Sequence, residues 1–115
     1  MYKYYIIFNT YNDVSTISIV KIKIDVEEKP KTYKILKGYG GRILKSELDI
    51  PSGYNNEHIY SLEDNIEKYG KLLMNEYKRK LDNQLQTEIR YCETVENRLK
   101  KFNNAMSNVN YKEEN

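Results

Sequence analysis

The chain has 115 residues, 39% of them apolar and 31% charged, with 19 Lys and Arg against 17 Asp and Glu for a formal charge of +2. That length accommodates one ordinary domain, and the apolar share is too high for a disordered chain. The near-balance of charge excludes a one-sided electrostatic coat for nucleic acid, and no apolar run reaches the ~20 residues of a membrane-spanning helix.

Twelve tyrosines against two phenylalanines and no tryptophan mean that most aromatic bulk carries a hydroxyl, which needs water or a partner when buried. The single cysteine, Cys92, cannot form an internal disulfide. The brief apolar run from Tyr4 to Phe8 has no small-residue cleavage site behind it, so the expected location is the reducing cytoplasm.

Residues 2–11 (YKYYIIFNTY) are dense in aromatic and β-branched side chains and predict a strand, closed by a turn at Asn12-Asp13. From Val14 to Glu28 the apolar residues alternate. Ile17 and Ile19 share one parity, and Val20, Ile22, Ile24 and Val26 share the other. A change of parity inside a strand reads as a β-bulge between Ile19 and Val20, with Lys21, Lys23, Asp25 and Glu27 on a wet face. Pro30 breaks the run, Thr32 to Lys37 returns as a third strand, and Arg42 to Ser46 forms a short fourth after the Gly38-Tyr39-Gly40-Gly41 turn. Four short strands in residues 1–60 predict an antiparallel meander or small open barrel.

Ser61 followed by Asp64 resembles a capping box and predicts a helix start. Leu62, Ile66, Tyr69, Leu73, Tyr77, Leu81, Leu85, Ile89, Cys92, Val95, Leu99, Phe102 and Met106 then recur at spacings of three and four. The expectation is an α+β fold in which residues 61–104 form one long amphipathic helix or a helical hairpin. A bend is expected at Gly70, or a fold-back there or near Asn83. Residues 105–115 read as a frayed tail. A stripe this long outruns the cover a small sheet can provide. It therefore predicts self-association through Leu81, Leu85, Ile89, Cys92, Val95, Leu99 and Phe102.

Two surfaces are candidates for binding. In the loop from Lys37 to Arg42, glycine backbone could cradle an anion that Lys37 and Arg42 neutralise, with Tyr39 stacking on a base; a plain hairpin turn explains the same residues. Tyr2, Tyr4, Tyr5 and Tyr11 with Lys3, Lys21 and Lys23 could face a protein partner or a single-stranded nucleic acid, or simply cover a thin core. One histidine and one cysteine cannot supply a zinc site or a nucleophile–base–orienter set, and the carboxylates alternate with lysines. No catalytic residue, metal or cofactor is implied.

The stretch Lys31-Thr32-Tyr33-Lys34, Gly41-Arg42-Ile43-Leu44-Lys45-Ser46-Glu47-Leu48, Tyr60-Ser61-Leu62 and the following charged helix resembles small uncharacterised proteins of low-GC bacteria and their phages. The resemblance covers residues from about 31 to 100 and implies a short β-barrel-like domain with a helical segment. It carries no activity, but many such products inhibit host defence, anti-CRISPR proteins among them. The expected function is therefore a non-enzymatic inhibitor that docks on a larger protein or nucleoprotein, and the alternative is a nucleotide or single-strand binder using the glycine loop.

Overall fold

The computed structural model describes the chain apart from residues 11–12, 39, 54–55, 88–91 and 115, and apart from the side chains of 9–10, 13–14, 85, 87 and 92–94. It is a mixed α+β fold. The elements are β1 (Tyr2–Thr10), β2 (Asp13–Lys23), β3 (Val26–Glu28), β4 (Thr32–Ile35), β5 (Arg42–Leu44), β6 (His58–Ser61), α1 (Ile66–Thr87), α2 (Cys92–Ala105) and β7 (Asn110–Glu114). Instead of one barrel, the strands form a four-stranded sheet in the order β6-β1-β2-β7 and a three-stranded sheet in the order β3-β4-β5.

The β1–β2 ladder sets Tyr4 opposite Lys21, Ile6 opposite Ile19 and Phe8 opposite Ile17. Because side chains alternate faces, these residues share one side of the sheet, together with Ile59 of β6. Both helices pack there. Tyr4, Ile6, Ile17, Ile19 and Ile59 join Tyr69, Leu73, Met74, Leu81, Phe102 and Ala105 in one buried cluster.

The pairing runs without interruption through Ile19 and Val20, so the expected bulge is absent there; the register shifts between Phe8 and Thr10. The parity change has a different cause. Ile17 and Ile19 face the helices, while Val20 and Ile22 make the opposite face apolar as well. Lys21 accordingly lies on the helix side, 8% exposed, and its ammonium donates to Asp64 Oδ1 at 2.7 Å. Lys21 thus departs from the expected wet face, whereas Lys23, Asp25 and Glu27 are exposed as expected.

The helix begins four residues later than its capping-box signal. Ser61 ends β6, and Asn65 caps α1 by accepting the Lys68 N–H at 3.1 Å. Gly70 does not interrupt the helix; α1 runs through it. A Cβ at this position would lie 3.1 Å from Ile19 and 3.2 Å from the Tyr111 ring, so glycine permits close approach to β2 and β7. The tail is not frayed either, since Asn110 to Glu114 pair in parallel with Ser18 to Ile22.

Of the two expectations, one long helix or a helical hairpin, the structure has the hairpin: α1 and α2 pack on each other. The Tyr77 ring sits 4.8 Å from Phe102 and 4.9 Å from Phe8, and Arg98 donates to the Tyr77 hydroxyl at 2.8 Å. Leu81, Val95 and Phe102 are buried within the chain, and Leu99 is partly buried against the same core. The stripe that would have lined a seam between copies is thus largely covered by the hairpin and the sheet. Ile89 lies outside the described residues, as do the side chains of Leu85 and Cys92.

Phe102 is fully buried among aromatic rings, so Phe102→Ala is expected to cost about 3–5 kcal/mol in urea-induced unfolding. That cost should be the same at low and high protein concentration. A loss that grows on dilution would place Phe102 between two copies.

Candidate functional site

The same alternation that buries one side of the four-stranded sheet composes the other. Across β6, β1, β2 and β7, one row reads Tyr60, Lys3, Ile22 and Glu114, and the next reads His58, Tyr5, Val20 and Lys112. Ile7 and Ser18 begin a third. Ile7 is 41% exposed, and Lys3, Tyr5, Ile22, His58 and Tyr60 are half-buried. This outer face mixes aromatic and aliphatic side chains with Lys3, Lys112 and Glu114, and Lys3 is set against two rings.

Lys3 places its ammonium 5.9 Å from the Tyr5 centroid and 5.7 Å from that of Tyr60, within cation–π range of both. His58 meets Tyr60 edge to face at 5.1 Å. Burial, with the Lys3 charge adding to it, lowers the His58 pKa and keeps its imidazole neutral; burial also raises the Tyr60 hydroxyl. Tyr5 is raised by burial and by Glu114, to which it hydrogen-bonds. Gly53 is indispensable beside His58. Its φ is +80°, and a Cβ would lie 2.0 Å from the imidazole Cε1.

The tyrosine cluster singled out in the sequence is split by this register. Tyr4 is fully buried and Lys21 nearly so, and Tyr2 shares their helix-side face beside Lys23. Tyr4 and Lys21 are buried and present no docking surface, Tyr2 is partly buried and Lys23 is exposed on the same face, and Tyr11 lies outside the described residues. Tyr5 and Lys3 of the same cluster lie on the outer face beside Tyr60. Tyr60 was not legible, because His58-Ile59-Tyr60 carries too short a signal to be read as a strand.

The glycine loop is an open turn between β4 and β5. Gly38, Gly40 and Gly41 have positive φ and no neighbour within 4 Å of a notional Cβ. Lys37 is 3.2 Å from Asp25, so its charge is already matched, whereas Arg42 is exposed and sits opposite Lys34. Tyr39 lies outside the described residues.

A second polar group joins the start of α1 to the sheet. The Tyr69 hydroxyl lies 2.7 Å from Asp49 Oδ1, 2.9 Å from Glu63 Oε2 and 2.9 Å from Ser61 Oγ, and Ser61 Oγ also contacts Asp49 Oδ1. Two hydroxyl protons serve these four contacts, so with both carboxylates ionised only two contacts carry a proton at a time. Lys68 neutralises Glu63 at 2.7 Å. The Ser61 hydrogen bond, against partial burial, holds the Asp49 carboxyl below the usual range; Lys68 does the same for Glu63, and burial pushes the Tyr69 hydroxyl far up. Ser61 is completely buried and gives no approach to a substrate. Its geometry serves to lock the fold. Among the described residues, no group of three or more His, Cys, Asp or Glu is placed to hold a metal, and no helix is long and apolar enough to cross a membrane.

Carboxylates held low in the fold stabilise it above their unfolded titration range, and that contribution is lost as pH falls through the folded one. Ser61→Ala should lower stability at about pH 7 by about 1–2 kcal/mol, since it removes buried hydrogen bonds. The loss of stability from about pH 5 to about pH 3 should become shallower in this variant. Urea melts at those pH values measure both, and an unchanged acid slope would remove Asp49 from the linkage.

No protein-family model, curated protein or solved structure matches the chain.

Proposed function

We propose that this is a non-enzymatic binding protein that docks on a larger protein through the outer face of its four-stranded sheet. The observation that carries the reading is the composition of that face. A sheet with helices on one side ordinarily turns a polar face to water. Here Ile7, Ile22, Tyr5 and Tyr60 occupy it, with Val20 at its centre.

Four strands at ~4.8 Å spacing give a face of a few hundred Å2, the size of the apolar patches that mark contact sites on monomers. Half-buried tyrosines suit such a site because each ring offers apolar area and ends in a polar hydroxyl. The local charges favour protein over nucleic acid as occupant: Lys3 lies against two rings, and Lys112 has Glu114 two residues away on the same strand face. The mobile-element resemblance supplies the first partner class to test, a host defence complex.

Immobilised protein should retain a specific partner from host-cell lysate, and Lys71→Glu, on an exposed position of α1, should leave that retention unchanged. Ile7→Asp combined with Tyr60→Ala should weaken the same partner by at least about tenfold, a loss of about 1.4 kcal/mol. Equal retention by all three proteins would move the docking site elsewhere.

A further inference from the structure

The three-stranded sheet carries an independent signal, one that does not rest on the docking face. Between Asp25 and Glu47 there are six cations and four carboxylates, so the surplus of this segment equals the +2 of the whole chain. The charge is local, which an overall count conceals.

Within this sheet the pairing is selective. Lys29 holds Glu27 at 2.9 Å, Lys37 holds Asp25 at 3.2 Å, and Lys45 holds Glu28 at 2.8 Å. Among the described residues no carboxylate lies within ion-pair distance of Lys31, Lys34 or Arg42, and all three are exposed. The β4–β5 register then places Lys34 directly opposite Arg42. Like charges facing each other across a ladder destabilise it; Glu27 on β3 attracts Lys34, while among the described residues no ion pair reaches Arg42. Glu27, opposite Lys34 on the other side, is already engaged by Lys29.

From this register pair we infer that the exposed face of the three-stranded sheet binds the phosphodiester backbone of a single-stranded nucleic acid, with Lys34 and Arg42 straddling one phosphate and Lys31 reaching a neighbouring one. Directly opposite side chains start about 5 Å apart, which lets an ammonium and a guanidinium converge on the oxygens of a single phosphate. The site is an open face, and it suits a chain whose successive phosphates each add a contact. Recognition through phosphate alone is indifferent to base sequence.

Fluorescence anisotropy with a labelled oligothymidine of about 20 nucleotides tests this directly. Two phosphate contacts on a single strand give a slope of about −1.4 in log affinity against log salt, so raising salt from about 50 to about 200 mM should weaken binding about sevenfold. Arg42→Glu should reduce binding at low salt by at least about tenfold. The same substitution sets a carboxylate opposite Lys34, so the melting temperature should hold or rise, which separates lost binding from lost folding. Absence of binding at low salt, an unchanged affinity in Arg42→Glu, or equally tight binding of poly-glutamate of matched charge would each overturn the inference.

Discussion

The buried contact between Tyr4 and Tyr69 is the constraint on which the rest of the structure depends. Their rings lie 4.8 Å apart, one on the central strand of the main sheet and the other on the first turns of α1. Neither ring can be buried unless its hydroxyl is satisfied. The Tyr4 hydroxyl donates to the Glu63 carbonyl at 2.7 Å and accepts the Asn65 N–H at 2.9 Å; the Tyr69 hydroxyl meets Ser61, Asp49 and Glu63. The polar ends of two core residues thus define the turn from β6 into α1. The helix start, the Asn65 cap and the Lys21–Asp64 ion pair all follow from where those hydroxyls lie.

Once α1 is anchored there, α2 can lie only beside it on the same face. Gly70 allows α1 close to β2, Phe102 closes the space between Tyr77 and Phe8, and the chain then leaves α2 to add β7 in parallel beside β2. Among the described residues, the buried apolar side chains of both helices are directed to one side of the sheet. The other side receives no element from the helical hairpin, although its central strands are apolar. Val20 is fully buried among its neighbours there, while Ile7 and the tyrosine rings on either side keep part of their surface in water.

The two sheets differ in chemistry for a physical reason. The large one places its long ladders over a core, so its free face can hold rings and aliphatic side chains at fixed spacing. In the small one, only Tyr33 and Ile43 are buried, and its strands of three or four residues project lysine, arginine and glutamate instead. One molecule therefore presents an apolar, aromatic face and a locally cationic one.

Periodicity made part of this legible. The spacing of Tyr69, Leu73, Leu81, Val95 and Phe102 marked the helical face that enters the core, and the density of β-branched and aromatic residues marked β1 and β2, because both signals depend on neighbours in sequence. The α+β class follows from them. Which side of a strand faces the helices does not, since period two is satisfied equally by either assignment; only the docking of α1 turned Tyr4 and Lys21 inward and left Tyr5 and Lys3 outside. Strand β7, Asn-Tyr-Lys-Glu-Glu, carries no strand signal at all, being held by a backbone ladder to which any side chain is compatible. The opposition of Lys34 and Arg42 likewise exists only through register. Sequence determined which residues seek burial and with what period, whereas the tertiary structure decided which face, which partner and which charge each would meet, because those are set by contacts between segments distant along the chain.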